Sequence, residues 1–237
     1  MPRPGTGRVF TARQQVRNTD VTPSGRLRFD ALARYLQLAA EDDLADAGWD
    51  EPYGWLMRKI TVTVREFPRL GRQVALHTFC SGTGPRWAER TTTVAGPDGE
   101  LAQATAVWAA VSRTDGRPVP LGPEFHRRYG GAAQGRTASV RLSHPRPPDP
   151  PAGRSWPVRA ADFDPAGHVN NAIHWAAVED VLAGLDWLPG VAELEYHRQI
   201  LPGCEPCLAA AREPDQVMIW LLGGGQRLAS ARLLRAG

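Results

Sequence analysis

Apolar residues recur every three or four positions in two stretches of this chain. Phe29, Leu32, Leu36, Ala40 and Leu44 form one stripe, and Ile173, Ala177, Val181 and Leu185 form another. That spacing puts each set on one face of an α-helix and predicts helices over Phe29–Ala47 and Asn171–Leu185. Gly48 stops the first, and Pro189-Gly190 lies just past the second. Strict alternation follows each helix. Ile60, Val62 and Val64 oppose Thr61, Thr63 and Arg65, as Ala192, Leu194 and Tyr196 oppose Glu193, Glu195 and His197. Such a period of two marks half-buried strands. Further strands are expected at about 73–81, 87–95 and 100–112, then at about 206–212, 216–222 and 226–234. Gly96-Pro97-Asp98-Gly99 and Gly223-Gly224-Gly225 separate the last two strands of each set as turns.

The two sets are copies of one pattern. Val16-Arg17-Asn18-Thr19-Asp20-Val21-Thr22-Pro23-Ser24-Gly25 is echoed by Val158-Arg159-Ala160-Ala161-Asp162-Phe163-Asp164-Pro165-Ala166-Gly167. Val, Arg, Asp, Pro and Gly recur in register. Asp164 stands where the first copy has Thr22, and His168, Asn170 and Asn171 stand where it has Arg26, Arg28 and Phe29. Each half reads as a strand, a helix and four antiparallel strands, an α+β layer arrangement. The expected division is an N-terminal domain over 1–121, a Pro-, Gly- and Arg-rich surface linker over 122–154, and a C-terminal domain over 155–237. Polar chemistry gathers in the second half only.

Composition narrows the function classes. The 237 residues, 42% hydrophobic with eight Trp, suffice for a packed core. The net charge of +3 rests almost wholly on Arg, with Lys59 the one lysine, and no dense basic run with interleaved aromatics argues for nucleic acid. The N-terminus lacks an apolar leader and no stretch is long enough to span a membrane. Three cysteines, Cys80, Cys204 and Cys207, then read as reduced thiols of a cytoplasmic protein. Cys204-Glu205-Pro206-Cys207 has no second pair with which to hold zinc and reads as strand-end thiols.

The order of elements and their motifs resemble the acyl-ACP thioesterase family of plants and bacteria over nearly the whole chain. In the first half the match lies in Gly54-Trp55, Arg65, Pro68-Arg69-Leu70-Gly71, Trp87, Arg90, Trp108 and Gly116-Arg117-Pro118. In the second it lies in Asp162-x-Asp164-x-x-x-His168-Val169-Asn170-Asn171 and in Glu195-Tyr196-x-Arg198. The chain departs from the family at Ala166, Gln199, Ile200, His174 and Ala177, where relatives carry Asn, Glu, Cys, an aromatic and Trp. Asp162 to Gly167 is also similar to the active-site loop of 4-hydroxybenzoyl-CoA-type thioesterases, in which the second Asp of D-x-D-P-A-G is the catalytic carboxylate.

These resemblances imply a double hotdog fold: two tandem hotdog domains, each a long helix packed on an antiparallel sheet. They imply hydrolysis of an acyl-ACP or acyl-CoA thioester, fatty or polyketide-type, with an acyl pocket in the first half and chemistry in the second. No metal, nucleotide or other cofactor is called for. The partner is an acidic acyl carrier protein or CoA, met by exposed Arg residues between Pro123 and Arg146; the oligomeric state, a homodimer included, stays open. Thioester hydrolysis needs a base or nucleophile and donors for the developing oxyanion. Asp164 fits the first role, as nucleophile or general base; its commonplace reading is an N-cap. His168 fits proton relay or carbonyl polarisation, Asn170 and Asn171 divide between capping and positioning, and Gln199 fits holding a water. Asp162, repeated as Asp20, reads as structural. Gly167, Val169, His174 and Trp55 are the expected substrate-binding residues. Two other readings remain: a hotdog dehydratase or hydratase, whose D-x-N-P-x-H phrase is one residue shorter, and a non-catalytic acyl-thioester-binding homologue.

Overall fold

A computed structural model describes residues 1–48, 53–148 and 153–237. The first half contains β1 (Phe10–Gln15), α1 (Phe29–Asp46), β2 (Gly54–Val64), β3 (Gln73–Thr83), β4 (Trp87–Gly96), β5 (Gly99–Val111) and α2 (Pro123–Ala133). The second contains β6 (Gly153–Ser155), α3 (His174–Leu182), β7 (Pro189–Tyr196), β8 (Cys207–Arg212), β9 (Gln216–Gly223) and β10 (Gln226–Arg235). Their strands join in a single sheet of order β1-β3-β4-β5-β2-β7-β10-β9-β8-β6. Outward from its centre the two sides run in matching order, β2, β5, β4, β3, β1 against β7, β10, β9, β8, β6.

The seam is the antiparallel pairing of β2 with β7, where Ile60 faces Leu194 and Val62 faces Ala192. All four are buried. The alternation that turned these residues to one face of each strand also turned them to the same face of the joined sheet. On that face lie α1 and α3. Phe29 at the start of α1 stacks on Trp175 of α3 with ring centroids 5.2 Å apart, and both side chains are almost fully enclosed. Leu32, Leu36, Leu76, Val178, Val181 and Leu233 complete a continuous core through both halves. Each large apolar side chain buried this way stabilises the fold by about 1.5–3 kcal/mol. Two hotdog units thus share one sheet and one core.

Two local expectations are corrected. The surface linker over 122–154 contains an eleven-residue helix, α2, begun by a Pro in its first turn and ended by Gln134 in the left-handed region. Its buried Phe125, Tyr129, Ala132 and Ala133 keep helical spacing inside a polar, Gly-containing run, which hid them. Further along, Ser143 and His144 lie against the second half's sheet, donating backbone N–H to the buried Glu195 at 2.6 and 3.2 Å. Residues 149–152 of the linker fall outside the described residues. The second helix is also shorter than its stripe: Asn171–Ile173 form a 3-10 turn and only His174–Leu182 are α-helical. The second half's opening strand, β6, has three residues against six in β1.

Candidate active site

Each half carries the same small loop ahead of its helix. Arg17 N–H donates to Asp20 at 3.0 Å, and Arg159 N–H donates to Asp162 at 2.8 Å. Thr22 N–H reaches Arg26 O at 2.8 Å, and Asp164 N–H reaches His168 O at 3.0 Å. Gly25 and Gly167 close the turns with φ of +79° and +82°, a region where only glycine is unstrained. Both loops then bridge back on themselves, Val21 to Leu27 and Phe163 to Val169. Two loops of one geometry therefore present different side chains.

In the second loop Asp164 Oδ1 accepts from Ala166 N–H at 2.9 Å, and Oδ2 lies 3.5 Å from His168 Nδ1. Their side chains are 18% and 19% exposed, reachable by a ligand yet largely shielded from water. Asp164 is therefore an Asx-turn residue, and Asn170 takes the N-cap, its Oδ1 accepting from Ala172 N–H at 2.9 Å. Asn171 O accepts from the buried Tyr196 hydroxyl at 2.9 Å, while its N–H finds no acceptor among the described residues. A free N–H at a helix start, beside an acid and an imidazole, can hold a developing oxyanion.

In the first loop the same place is filled. Arg26, the counterpart of His168, sends Nη1 and Nη2 to Glu179 of α3 at 3.1 and 2.5 Å. Glu179 Oε1 also accepts from Phe29 N–H at 2.7 Å. The pair is nearly buried, with side chains 7% and 11% exposed, so the loop without a carboxylate is plugged by an ion pair.

A cavity of about 290 Å³ opens at the second loop. Asp164, Ala166, His168 and Asn171 form its polar end. Gln37, Ala40, Glu41 and Leu44 of α1 form one wall, and Trp55, Cys80, Ala88 and Trp108 of the first half's strands another. Phe125 and Tyr129 of α2 close it. Trp55 meets Phe125 at 5.8 Å and Tyr53 edge-on at 5.2 Å. Arg90 also lines the cavity, but Asp43 neutralises it at 2.7 Å. Burial pushes the Cys80 thiol up to about 11, so it is a neutral wall residue at pH 7 and no nucleophile. Among the described residues no His, Cys, Asp and Glu side chains cluster as a metal site.

Of the residues singled out from sequence, Asp164, His168, Asn171 and Trp55 share this cavity. Five do not line it. Asn170 caps the helix and Gly167 makes the exposed turn. Val169 is a core residue whose N–H bonds to Ile200 O at 2.9 Å. His174 is buried on the other side of α3, edge-on to Tyr196, and burial holds its imidazole down at about 4. It occupies the place of Leu32 in the first half, a core position. Gln199 is exposed: past β7 the chain turns so that Ile200 points in and Gln199 out. The residues singled out from sequence did not include Gln37, Glu41, Phe125 or Tyr129, although an acyl pocket was expected in the first half. Only the repeat offered a signal for Gln37, which stands to the second half's Glu179 as Phe29 stands to Asn171.

Comparison with known proteins fits this architecture. The profile of the acyl-ACP thioesterase N-terminal domain matches residues 7–129. An uncharacterized protein of Mycobacterium tuberculosis is 28% identical over 236 residues, covering 98% of this chain and 94% of its own. The fold is similar to that of an acyl-ACP thioesterase from Bacteroides thetaiotaomicron, with a TM-score of 0.78, 17% identity, and 96% and 98% of the two chains covered. It is similar also to the 12:0-ACP thioesterase from Umbellularia californica, with a TM-score of 0.82, 18% identity, and 96% and 97% covered.

Proposed function

The chain belongs to the acyl-ACP thioesterase family, and from that premise we propose that it hydrolyses an acyl thioester to free acid and thiol, with Asp164 and His168 at the reacting centre. The observation that carries the reading is the shared cavity. The acid, imidazole and helix-start N–H of the second half open onto an apolar chamber built by the first half and α2. An acyl chain lies along Leu44, Trp55 and Phe125, which brings its carbonyl to Asp164. The carbonyl oxygen is held by Asn171 N–H, where charge develops as the carbonyl is attacked. Asp164 either takes the proton of the attacking water or attacks first and is released by water; both routes end in the same acid. His168, beside Asp164, delivers a proton to the departing thiolate. The exposed Arg127, Arg141 and Arg146 offer a surface to an acidic carrier protein.

Thiol release from a panel of acyl-ACP and acyl-CoA substrates tests the reaction. Asp164→Asn should lower kcat at least about 100-fold with the fold intact. Full activity in that variant removes Asp164 from the mechanism. Formation of an enoyl product from a 3-hydroxyacyl thioester, without free acid, would make the protein a dehydratase instead.

A further inference from the structure

The plugged loop shows how a helix residue of one half meets the loop of the other. Glu179 of α3 seats one oxygen on Phe29 N–H, 2.7 Å away, while grasping Arg26. In the repeat, Phe29 corresponds to Asn171, Arg26 to His168, and Glu179 to Gln37 of α1. Gln37 lines the cavity together with His168, Asn171 and Asp164. Its Nε2 donates to Glu41 Oε1 at 3.0 Å, which sets the direction of the amide and leaves Oε1 with no donor among the described residues. An amide that lines the cavity with the acid is therefore on α1, whereas Gln199 faces solvent.

We propose that Gln37 is a positioning residue of this site, its Oε1 holding the attacking water against Asp164. The inference rests on the thioesterase reading above. The water donates one hydrogen to Gln37 Oε1. Its other proton passes to the Asp164 carboxylate as its oxygen bonds to the carbonyl carbon. The carbonyl electron pair moves to the oxygen at Asn171 N–H, then returns as the C–S bond breaks, and the proton taken up by Asp164 passes through His168 to the departing thiolate. If Asp164 attacks first, the same held water cleaves the resulting anhydride. A neutral amide is needed at position 37. A carboxylate there would claim Asn171 N–H and His168, as Glu179 claims Phe29 N–H and Arg26, and would block the oxyanion. Glu41 keeps the amide turned.

The test is steady-state thiol release by the full chain and its variants, with thermal melting as the check on folding. Gln37→Leu should lower kcat about 10- to 100-fold while KM changes far less, a larger loss than in Gln199→Ala. Gln37→Glu should be slower still at pH 8 and recover towards pH 5, as a new carboxyl of ordinary pKa, about 4.3, begins to protonate. Glu41 neighbours position 37 on α1, and the charged groups lining the cavity from other elements are Glu89, Arg90, Asp164 and His168. If Gln37→Leu does not fold, the pH profile of Gln37→Glu decides alone. Wild-type kcat in Gln37→Leu, an effect on KM only, or a Gln37→Glu profile parallel to wild type overturns the proposal. A wild-type protein inactive on every thioester overturns the thioesterase reading itself, whereas an active wild type beside a fully active Gln37→Leu overturns only the role of Gln37.

Discussion

Thr22 and Asp164 occupy the same turn, and two exchanges separate the loops, Asp164 for Thr22 and His168 for the Arg26 that pairs with Glu179. Gly167 holds the turn at φ +82°, and nothing lies within 4 Å of where a Cβ would project. Gly167→Ala should therefore cost backbone strain alone, about 1 kcal/mol, and slow hydrolysis by shifting Asp164. Gly25→Ala should cost a similar amount of stability without touching the site; equal activity losses in the two variants would undo the distinction between the loops. His174 yields a second residue-scale prediction. Its folded pKa is depressed to about 4 by burial, whereas an unfolded histidine titrates near 6.5. The unfolded chain thus binds the extra proton first. Stability is full above about pH 6.5, falls as pH drops towards 4, and loses on the order of 3 kcal/mol in all. Half-buried His197, also held at about 4, acts in the same direction with more screening. His174→Leu, copying Leu32, should flatten the wild-type fall in urea midpoint between pH 7 and 4.5; an unchanged slope would locate the effect elsewhere. Sequence reading singled out Asp164 and His168 because their copies, Thr22 and Arg26, differ in chemistry, and both line the cavity. It misplaced His174 and Gln199 because it could not see which way a helix or a chain turn faces.

Among elements, α1 and α3 are tied by more than apolar packing. Arg26 and Glu179 come from different halves and are nearly buried, so removing either leaves an unpaired charge. Glu179→Ala should destabilise the protein by about 3 kcal/mol, and Arg26→Met by a similar amount. The double variant should cost clearly less than the sum, which a double-mutant cycle by urea unfolding measures; strict additivity would deny the pair. α2 is the other element whose role emerged only on folding. Phe125 and Tyr129 wall the cavity, so Phe125→Ala should cost about 3 kcal/mol of stability and move preference to longer acyl chains. An unaltered chain-length profile would take α2 out of the acyl pocket. The helix escaped sequence analysis because its four buried residues are spread through a run of Arg, Gly and Gln that reads as a solvated linker.

At the scale of the whole molecule, the β2–β7 seam makes two units into one. Helices α1 and α3 pack on each other, and the main core runs through both halves. Unfolding should accordingly be a single transition by calorimetry, with calorimetric and van't Hoff enthalpies in agreement. Two separated transitions would mean that the halves hold their folds independently. The family resemblance implied the hotdog fold, whereas the sequence by itself determined the elements other than α2, their duplication, the α+β class and the half that carries Asp164. These follow from local periodicity and from residue identities at matched positions. Only the tertiary structure decided that residues of both halves line one cavity, that Phe125 and Tyr129 of α2 wall it, and that Gln37 rather than Gln199 lines it with Asp164. Those facts depend on which surfaces of distant segments meet, and a spacing of 3.6 or 2 along the chain fixes a face without naming what it will face.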